Sequence, residues 1–455
     1  MKYLCGLYTL LFGVAVLLFF GLAYPHHLHY QEQYQLFLFD STYVWEIVKL
    51  PGGVADLLGR FCTQFFLFAW VGSLMIAILL SLVQLLMLRL VKWGWLYGLS
   101  FVPSFLLWLF LLDENALLGG VWAVLLTLLA IWACVMAPSG WPRRILILIA
   151  IPVLYWIALG GSHYYRYPTV TPYLLYAAWL SAVILPFIVR ACHKWLSISS
   201  GSKDRGVALF TYVLVMVVMG SLVWKNANFK AEKVMQYDFM ACHQQWNRII
   251  ETINAEKPNN QIGVTVQNLA LAMHGILLEH MFDYNQNGIA GLLPDVKEDA
   301  TSPLPTAEAF YQLGMINVAQ RTVFEAQEAI LDFQKSGRCY KRLAETNLIN
   351  GQYEVARKYL TALQKTFFYC DWANETLQLL GNEKAIANHS EYGRLRQWAY
   401  KDDFYFSDHV TPEMLESLYF SNTDNRLALE YLMAYYLLTG DRENYAKLLH
   451  HIQKQ

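Results

Sequence analysis

Residues 207–233 read VALFTYVLVMVVMGSLVWKNANFKAEK. The stretch 207–224 carries no charge. Lys225, Lys230, Glu232 and Lys233 then follow in close order. This change divides the chain. Residues 1–224 hold only 12 of the 34 Lys+Arg and 7 of the 35 Asp+Glu; residues 225–455 hold the other 22 and 28, a net of −6. The whole-chain net charge of −1 and hydrophobic content of 56% therefore average two unlike parts. The first has the composition of a membrane protein. The second reads as a soluble, mildly acidic domain, long enough to bury a core. Neither is basic enough to imply a nucleic-acid partner.

A membrane span needs about 20 largely apolar residues. Seven segments qualify: about 3–23, 65–88, 95–112, 116–136, 145–161, 173–189 and 207–224. The third and fifth are short and contain Pro103 and Pro152, which a bundle tolerates where neighbouring helices and Ser side chains re-satisfy the backbone. The first lacks a small-x-small cleavage site and is followed by further spans, so it is expected to be retained. Cys5 has no apolar region before it and is not a lipoprotein cysteine.

Basic residues in short loops set orientation. With the N-terminus inside, nine lie inside: Lys2, Arg89, Lys92, Arg143, Arg144, Arg190, Lys194, Lys203 and Arg205. Lys49, Arg60 and Arg166 lie outside. Seven spans then put 225–455 outside, which in a bacterial cell is the periplasm of an inner-membrane protein. Of the seven carboxylates in this half only Asp204 lies inside, and none falls within a span. Ion pumps and proton-coupled transporters usually need ionisable groups at membrane depth, so that class is disfavoured.

The first outer loop, 24–64, is long and not polar. It opens on PHHLHYQEQYQLFLFD, residues 25–40. On a helix His26, His29 and Glu32 would share a face. No second ligand cluster joins them, and His and Tyr at an interface commonly serve as amphipathic edge residues, so no metal is assigned. Leu36, Phe37, Leu38, Phe39, Val44, Trp45, Ile47 and Val48 form one apolar stretch. Pro51-Gly52-Gly53 breaks it before a second helix from Val54. Two amphipathic helices in the outer interface are expected, with Glu32 and Asp40 at the mouth of the bundle.

After Lys225 apolar residues recur at helical spacing. Leu313 and Leu343 are 30 residues apart, as are Ala326 and Ala356, within segments that align. Residues 341–363, KRLAETNLINGQYEVARKYLTAL, resemble a tetratricopeptide repeat. Asn350-Gly351-Gln352-Tyr353 is the turn, with Gly351 as helix stop, and Leu343 and Ala344 are placed to face Ala356. Related patterns fall at 431–449, with Gly440 at the turn, and more loosely at 268–282. A helix carrying Trp246, Ile249, Ile250 and Ile253, closed by Pro258, starts the array. Residues 385–424, with Trp398, Phe404, Tyr405, Phe406, Asp402, Asp403 and Asp408, are expected to break it. Such arrays form curved surfaces that bind proteins or peptides. Arg342, Asn347 and Tyr353 are the candidate contacts.

Asp283-Tyr284-Asn285-Gln286-Asn287-Gly288 matches half of a calcium loop, but the twelfth position is Pro294 where a bidentate Glu is required, so a polar turn is expected. Cys242, Cys339 and Cys370 allow at most one internal disulfide, with the pair left open. There is no G-x-S-x-G, phosphate loop or H-E-x-x-H, and no cofactor is implied.

The layout of the first half is similar to that of the C-type glycosyltransferases, which use polyprenyl-phosphate sugars. In that resemblance Glu32 would be the base that deprotonates the acceptor, Asp40 a second acid or a metal partner, and Arg166, in His163-Tyr164-Tyr165-Arg166-Tyr167, would hold the lipid phosphate. The adjacent acid pair and Asp-x-Asp of such enzymes are missing. The chain also resembles an uncharacterised family of polytopic membrane proteins from Bacteroidota, through residues 32–39, Pro51-Gly52-Gly53, 342–347 and Gly351-Gln352-Tyr353. Two functions stand: an envelope scaffold or accessory protein that docks a partner on its repeats, and a lipid-linked transferase using Glu32 and Asp40. The fold expected is all-α, a seven-span bundle followed by a helical-repeat domain.

Overall fold

The computed structural model describes residues 2–91, 93–196, 203–295, 303–331, 334–401 and 411–454. Their regular structure is helical throughout, with one isolated pairing of Ala116 with Tyr165. The chain divides into two compact units, Met1–Glu232 and Lys233–Gln455. The compositional change at residue 225 falls shortly before that division. Lys92 and, from the stretch expected to break the repeats, Asp402, Asp403, Phe404, Tyr405, Phe406 and Asp408 lie outside the described residues.

Among the described residues of the first unit six helices are long and apolar enough to cross a membrane: Gly6–Ala23, Ala69–Leu90, Gly119–Met136, Trp141–Tyr164, Tyr173–Cys192 and Gly206–Asn226. Each overlaps an expected span. Pro152 sits inside its helix. The segment expected as the third span takes a different form. Residues Gly94–Phe101 wind as a 3-10 helix and Val102–Phe110 as an α-helix, leaving a shorter apolar helix, Leu96–Phe110. Pro103 lies in the first turn of that α-helix. There its missing N–H removes no intrahelical bond, so it starts the helix instead of kinking it.

Hydrogen bonds identify the two ends of this unit. At one end Gln31 Nε2 donates to the Ala116 carbonyl at 3.0 Å, and the Arg166 backbone N–H to the Asn115 carbonyl at 2.8 Å. The Asn228 backbone N–H donates to the Tyr24 hydroxyl at 3.2 Å. At the other end Arg190 Nη2 donates to the Leu90 carbonyl at 2.9 Å. Between them Phe12 packs edge-on against Phe101, Phe105 and Trp108, all buried.

The first loop holds three helices, Pro25–Glu32, Ser41–Val48 and Gly53–Thr63, where two interfacial ones were expected. Gly53–Thr63 packs on the bundle: a Cβ on Gly59 would lie 2.3 Å from the Gly119 nitrogen. Only a glycine allows backbones to approach this closely. Trp45, 67% exposed, and half-exposed Phe39 and Val54 remain on the outside.

The second unit is built of helical hairpins. Gly337–Ile349 turns into Tyr353–Leu363 through Gly351 at φ 75°, and Arg426–Thr439 into Arg442–Ile452 through Gly440 at φ 72°. These left-handed residues end their helices where glycine carries no steric penalty. Leu343, Ala344 and Ala356 are all buried, and so are Ile249 and Ile253 on Trp246–Glu256. The loose pattern at 268–282 is not one helix pair. Gln261–Met273 stops there, and Leu277–His280 is a single turn. Cys62, Cys134, Cys192, Cys242, Cys339 and Cys370 are free thiols.

Candidate functional site

Arg166 follows Trp141–Tyr164 in an extended segment tied to the 111–118 loop by the Arg166–Asn115 bond and by the Leu117 N–H to Tyr164 carbonyl bond at 3.1 Å. Its guanidinium is buried, 7% exposed, and stacks 3.4 Å from the centre of the Tyr34 ring. Nη1 donates to the Tyr30 hydroxyl at 3.2 Å. Nη2 has no hydrogen-bond partner. Among the described residues Arg166 makes no ion pair. Cation–π contact contributes about 0.5–2 kcal/mol, whereas an uncompensated buried charge costs several kcal/mol.

Arg166 lines a cavity with Gln31, Tyr34, Gln35, Thr63 and Glu114. The void is about 10 Å³, one water wide, inside some 260 Å³ of open space. Gln35 is 3% exposed, and its Oε1 accepts the Thr63 hydroxyl at 3.2 Å. Its Nε2 has no partner. The single Thr63 hydroxyl proton also reaches the Gly59 carbonyl at 2.9 Å, and when it is given there the Gln35 amide can turn its Nε2 to the Thr63 oxygen, which leaves Arg166 Nη2 as the donor left over at this cavity.

Glu32 and Asp40 do not line that cavity. Glu32 is buried at the end of Pro25–Glu32. Asp40 caps Ser41–Val48: its Oδ1 accepts the N–H groups of Thr42 and Tyr43 at 3.0 and 3.1 Å. Asp is favoured at this position because it satisfies helix donors that have no backbone acceptor.

His26 and His27 are buried within the protein, while His29 is partly exposed. His27 is fully buried, and its Nε2 lies 2.9 Å from the Leu111 carbonyl. Burial holds it neutral, pushed down to about 4. The carboxylate of Glu232 accepts the backbone N–H groups of His26 at 2.7 Å and His27 at 2.9 Å. It thus supplies acceptors at the N-terminus of Pro25–Glu32. Burial pushes Glu232 up to about 7, against the two N–H bonds that pull it down.

In the second unit a groove of about 600 Å³ lies along Ile316–Glu328, Gly337–Ile349 and Tyr353–Leu363. Asn317, Gln320, Phe324, Asn347, Val355 and Tyr359 are among its walls. Phe324 is 48% and Val355 38% exposed. The amides lock together: Gln320 Nε2 donates to Asn347 Oδ1 at 3.3 Å, and Asn350 Nδ2 to Asn317 Oδ1 at 2.8 Å.

Of the three candidate contacts only Asn347 faces this groove. Arg342 lies inside the unit. It pairs with Glu308 at 2.7 Å and Glu345 at 3.0 Å and stacks 3.5 Å from the Tyr311 ring centre. Burial raises Glu345, with Arg342 opposing. Tyr353 donates to Glu383 and accepts from Arg396 Nη2 at 3.1 Å. In the former calcium pattern Asp283 pairs with His280, while Asn285 and Asn287 donate to the carbonyls of Lys257, Pro258 and Asn259. It is a loop stapled by its own amides.

Sequence reading missed Glu232, Gln35 and the placement of Glu114. Glu114 carried a usable signal, an acid in a short loop between apolar segments. Gln35 and Glu232 carried none, because their roles depend on residues far along the chain.

These features define an all-α protein whose six apolar helices mark it as a membrane protein. The chain belongs to the family of unknown function DUF6057, whose model matches residues 1–163 and 157–455. No curated protein and no solved structure shows significant similarity.

Proposed function

We propose that this is an inner-membrane scaffold or accessory protein of the cell envelope, whose tetratricopeptide-like unit holds an extended segment of a protein partner in the Asn317–Tyr359 groove. The carrying observation is that groove: directional amides preorganised by mutual hydrogen bonds, beside half-exposed Phe324 and Val355. Amides read a peptide backbone, and apolar walls take alternate side chains. The N-terminus is cytoplasmic and residues 225–455 periplasmic. Nine inner basic residues against three in the outer loops between spans support this. An odd number of crossings requires that Gly94–Phe110 be one. A 3-10 helix rises about 2.0 Å per residue and an α-helix about 1.5 Å, so the segment reaches roughly 30 Å, the thickness of the hydrocarbon core. It also joins the Leu90 end of the unit to the Ala116 end.

The test is selection of peptides from a random displayed library on the full-length protein in detergent. Enriched peptides should bind Phe324→Ala and Val355→Ala at least about tenfold more weakly, with the thermal midpoints little changed. Absence of enrichment, or enrichment indifferent to both variants, removes the reading.

A second reading, a transferase acting on polyprenyl-phosphate-linked substrates, is favoured by one observation. Arg166 shares its cavity with a carboxylate, that of Glu114. Glu114 then takes the acid–base role first given to Glu32 and Asp40. Loss of transfer in Glu114→Gln, with retention in Asp40→Asn, is its expected signature.

A further inference from the structure

We propose that the second unit carries a saccharide-binding site at one end of the hairpin formed by Trp246–Glu256 and Gln261–Met273. An open cavity of about 520 Å³ lies there, lined by Gln244, Gln245, Trp246, Asn247, Arg248 and His274. Cavities of this size hold small ligands, and most are walled by aliphatic and aromatic side chains with a few polar groups. Here the proportion is reversed: one indole stands among five polar side chains, none of them a carboxylate. A lipid chain or an apolar peptide side chain gains little from such walls. A pyranose ring uses both kinds. Its C–H face lies on an aromatic plane, and its hydroxyls, each a donor and an acceptor, meet planar amides, imidazole and guanidinium.

The fold prepares these groups. Trp246 opens its helix and packs against the core of the unit while still lining the cavity. Core packing holds the ring, so little freedom is lost when a ligand lies on it. Among the described residues the side chains of Trp246, Asn247 and His274 have no hydrogen-bond partner within the protein. Asn247 and His274 are exposed. Arg248 Nη1 donates to Gln245 Oε1 at 3.3 Å, which steadies the guanidinium at the cavity wall.

Gln244 adds an independent observation. Its N–H bonds the Ala241 carbonyl, and the next N–H, of Gln245, bonds the Met240 carbonyl. The same pair of bonds closes the helices ending before Gly275, Gly314 and Gly351. Those turns place glycine in the left-handed region, where a side chain is strained. Gln244 takes φ 51° and keeps its side chain. Strained positions of this kind gather at ligand clamps. Gln244 Nε2 donates to Glu391 Oε1 at 3.1 Å. A carboxylate only accepts, so this bond fixes which end of the amide it takes and leaves the Gln244 oxygen as an acceptor. A neutral and an acidic sugar share the chemistry of this cavity, and Arg248 is the group that would tell them apart.

The test uses the full-length protein in a detergent without a sugar headgroup, since a maltoside would compete. Saturation-transfer NMR is recorded with a tetramer of N-acetylglucosamine, a tetramer of galacturonate, and glycerol as a polyol that has no ring. At least one tetramer should receive saturation at its ring C–H protons, and glycerol should not; which tetramer responds identifies a neutral or an acidic sugar. Trp246→Ala should weaken binding at least about tenfold. Asn247→Ala and His274→Ala, both at exposed positions, should each weaken it about three- to tenfold, the worth of one hydrogen bond, with thermal midpoints unchanged. Gln244→Gly should weaken binding without lowering the midpoint, because it relieves the left-handed strain. Phe324→Ala, in the separate groove, should bind as the wild type does. Should Trp246→Ala fail to fold, the Asn247 and His274 variants decide. No transfer to either tetramer, transfer no greater than to glycerol, or binding unchanged in both Asn247→Ala and His274→Ala would overturn the site in favour of a solvated helix end.

Discussion

Glu232 Oε2 accepts the backbone N–H of His27 at 2.9 Å, joining residues 205 positions apart. Both groups are buried, and burial moves them in opposite directions, Glu232 up to about 7 and His27 down to about 4. From about pH 4.5 to 7 folded Glu232 holds a proton that the unfolded chain has released, so its contribution to stability falls as pH rises. From about pH 6.5 down to 4 unfolded His27 holds a proton that the folded chain does not, so its contribution is lost as pH falls. The two oppose each other over most of the same window.

Glu232→Gln should expose the His27 dependence. Stability should then fall by up to about 3 kcal/mol from pH 6.5 to pH 4, at 1.36 kcal/mol per unit. His27→Gln should expose the reverse slope, falling from pH 4.5 to 7. Thermal midpoints across pH for the three proteins check this; parallel curves would count against the pairing.

Asp40 is a helix cap before it is anything else. Asp40→Asn keeps an oxygen for the Thr42 and Tyr43 N–H groups and should change stability little. Asp40→Ala should cost about 0.5–2 kcal/mol. Chemical denaturation of both variants measures the difference. A strong functional defect in the stable Asp40→Asn would instead return Asp40 to the transferase reading.

Gly59→Ala places a Cβ 2.3 Å from the Gly119 nitrogen, a backbone atom that cannot rotate away. Overpacking of this kind costs about 1–3 kcal/mol, and Gly53–Thr63 should lift from the bundle. Amide exchange over 53–63 should rise while exchange in the second unit stays as it was.

Arg342→Met should leave Glu308 and Glu345, both nearly inaccessible, without their counter-charge. Losing one partner of a buried pair costs about 3–5 kcal/mol. Tyr353→Phe removes a bond in a half-exposed cluster and should cost under about 1.5 kcal/mol. Urea unfolding of the second unit separates them; equal losses would contradict the interior role of Arg342.

What the sequence by itself determined is local. Six apolar runs became helices because uninterrupted hydrophobic length is legible in any window of the chain. The hairpin turns at Gly351 and Gly440 were legible because a left-handed residue after a helical pattern is nearly always glycine. Gly94–Phe110 already strains this rule, since its length in residues hides a 3-10 rise. The sites were decided only by tertiary structure. Gln35, Glu114 and Arg166 come from three separate loops and form a cavity because Gln31 bonds Ala116 and Arg166 bonds Asn115. Arg342 turned inward because Glu308, 34 residues away, lies against it. Periodicity tells which face of a helix is apolar, but not which distant helix covers that face, and the pairing of polar groups follows from the packing.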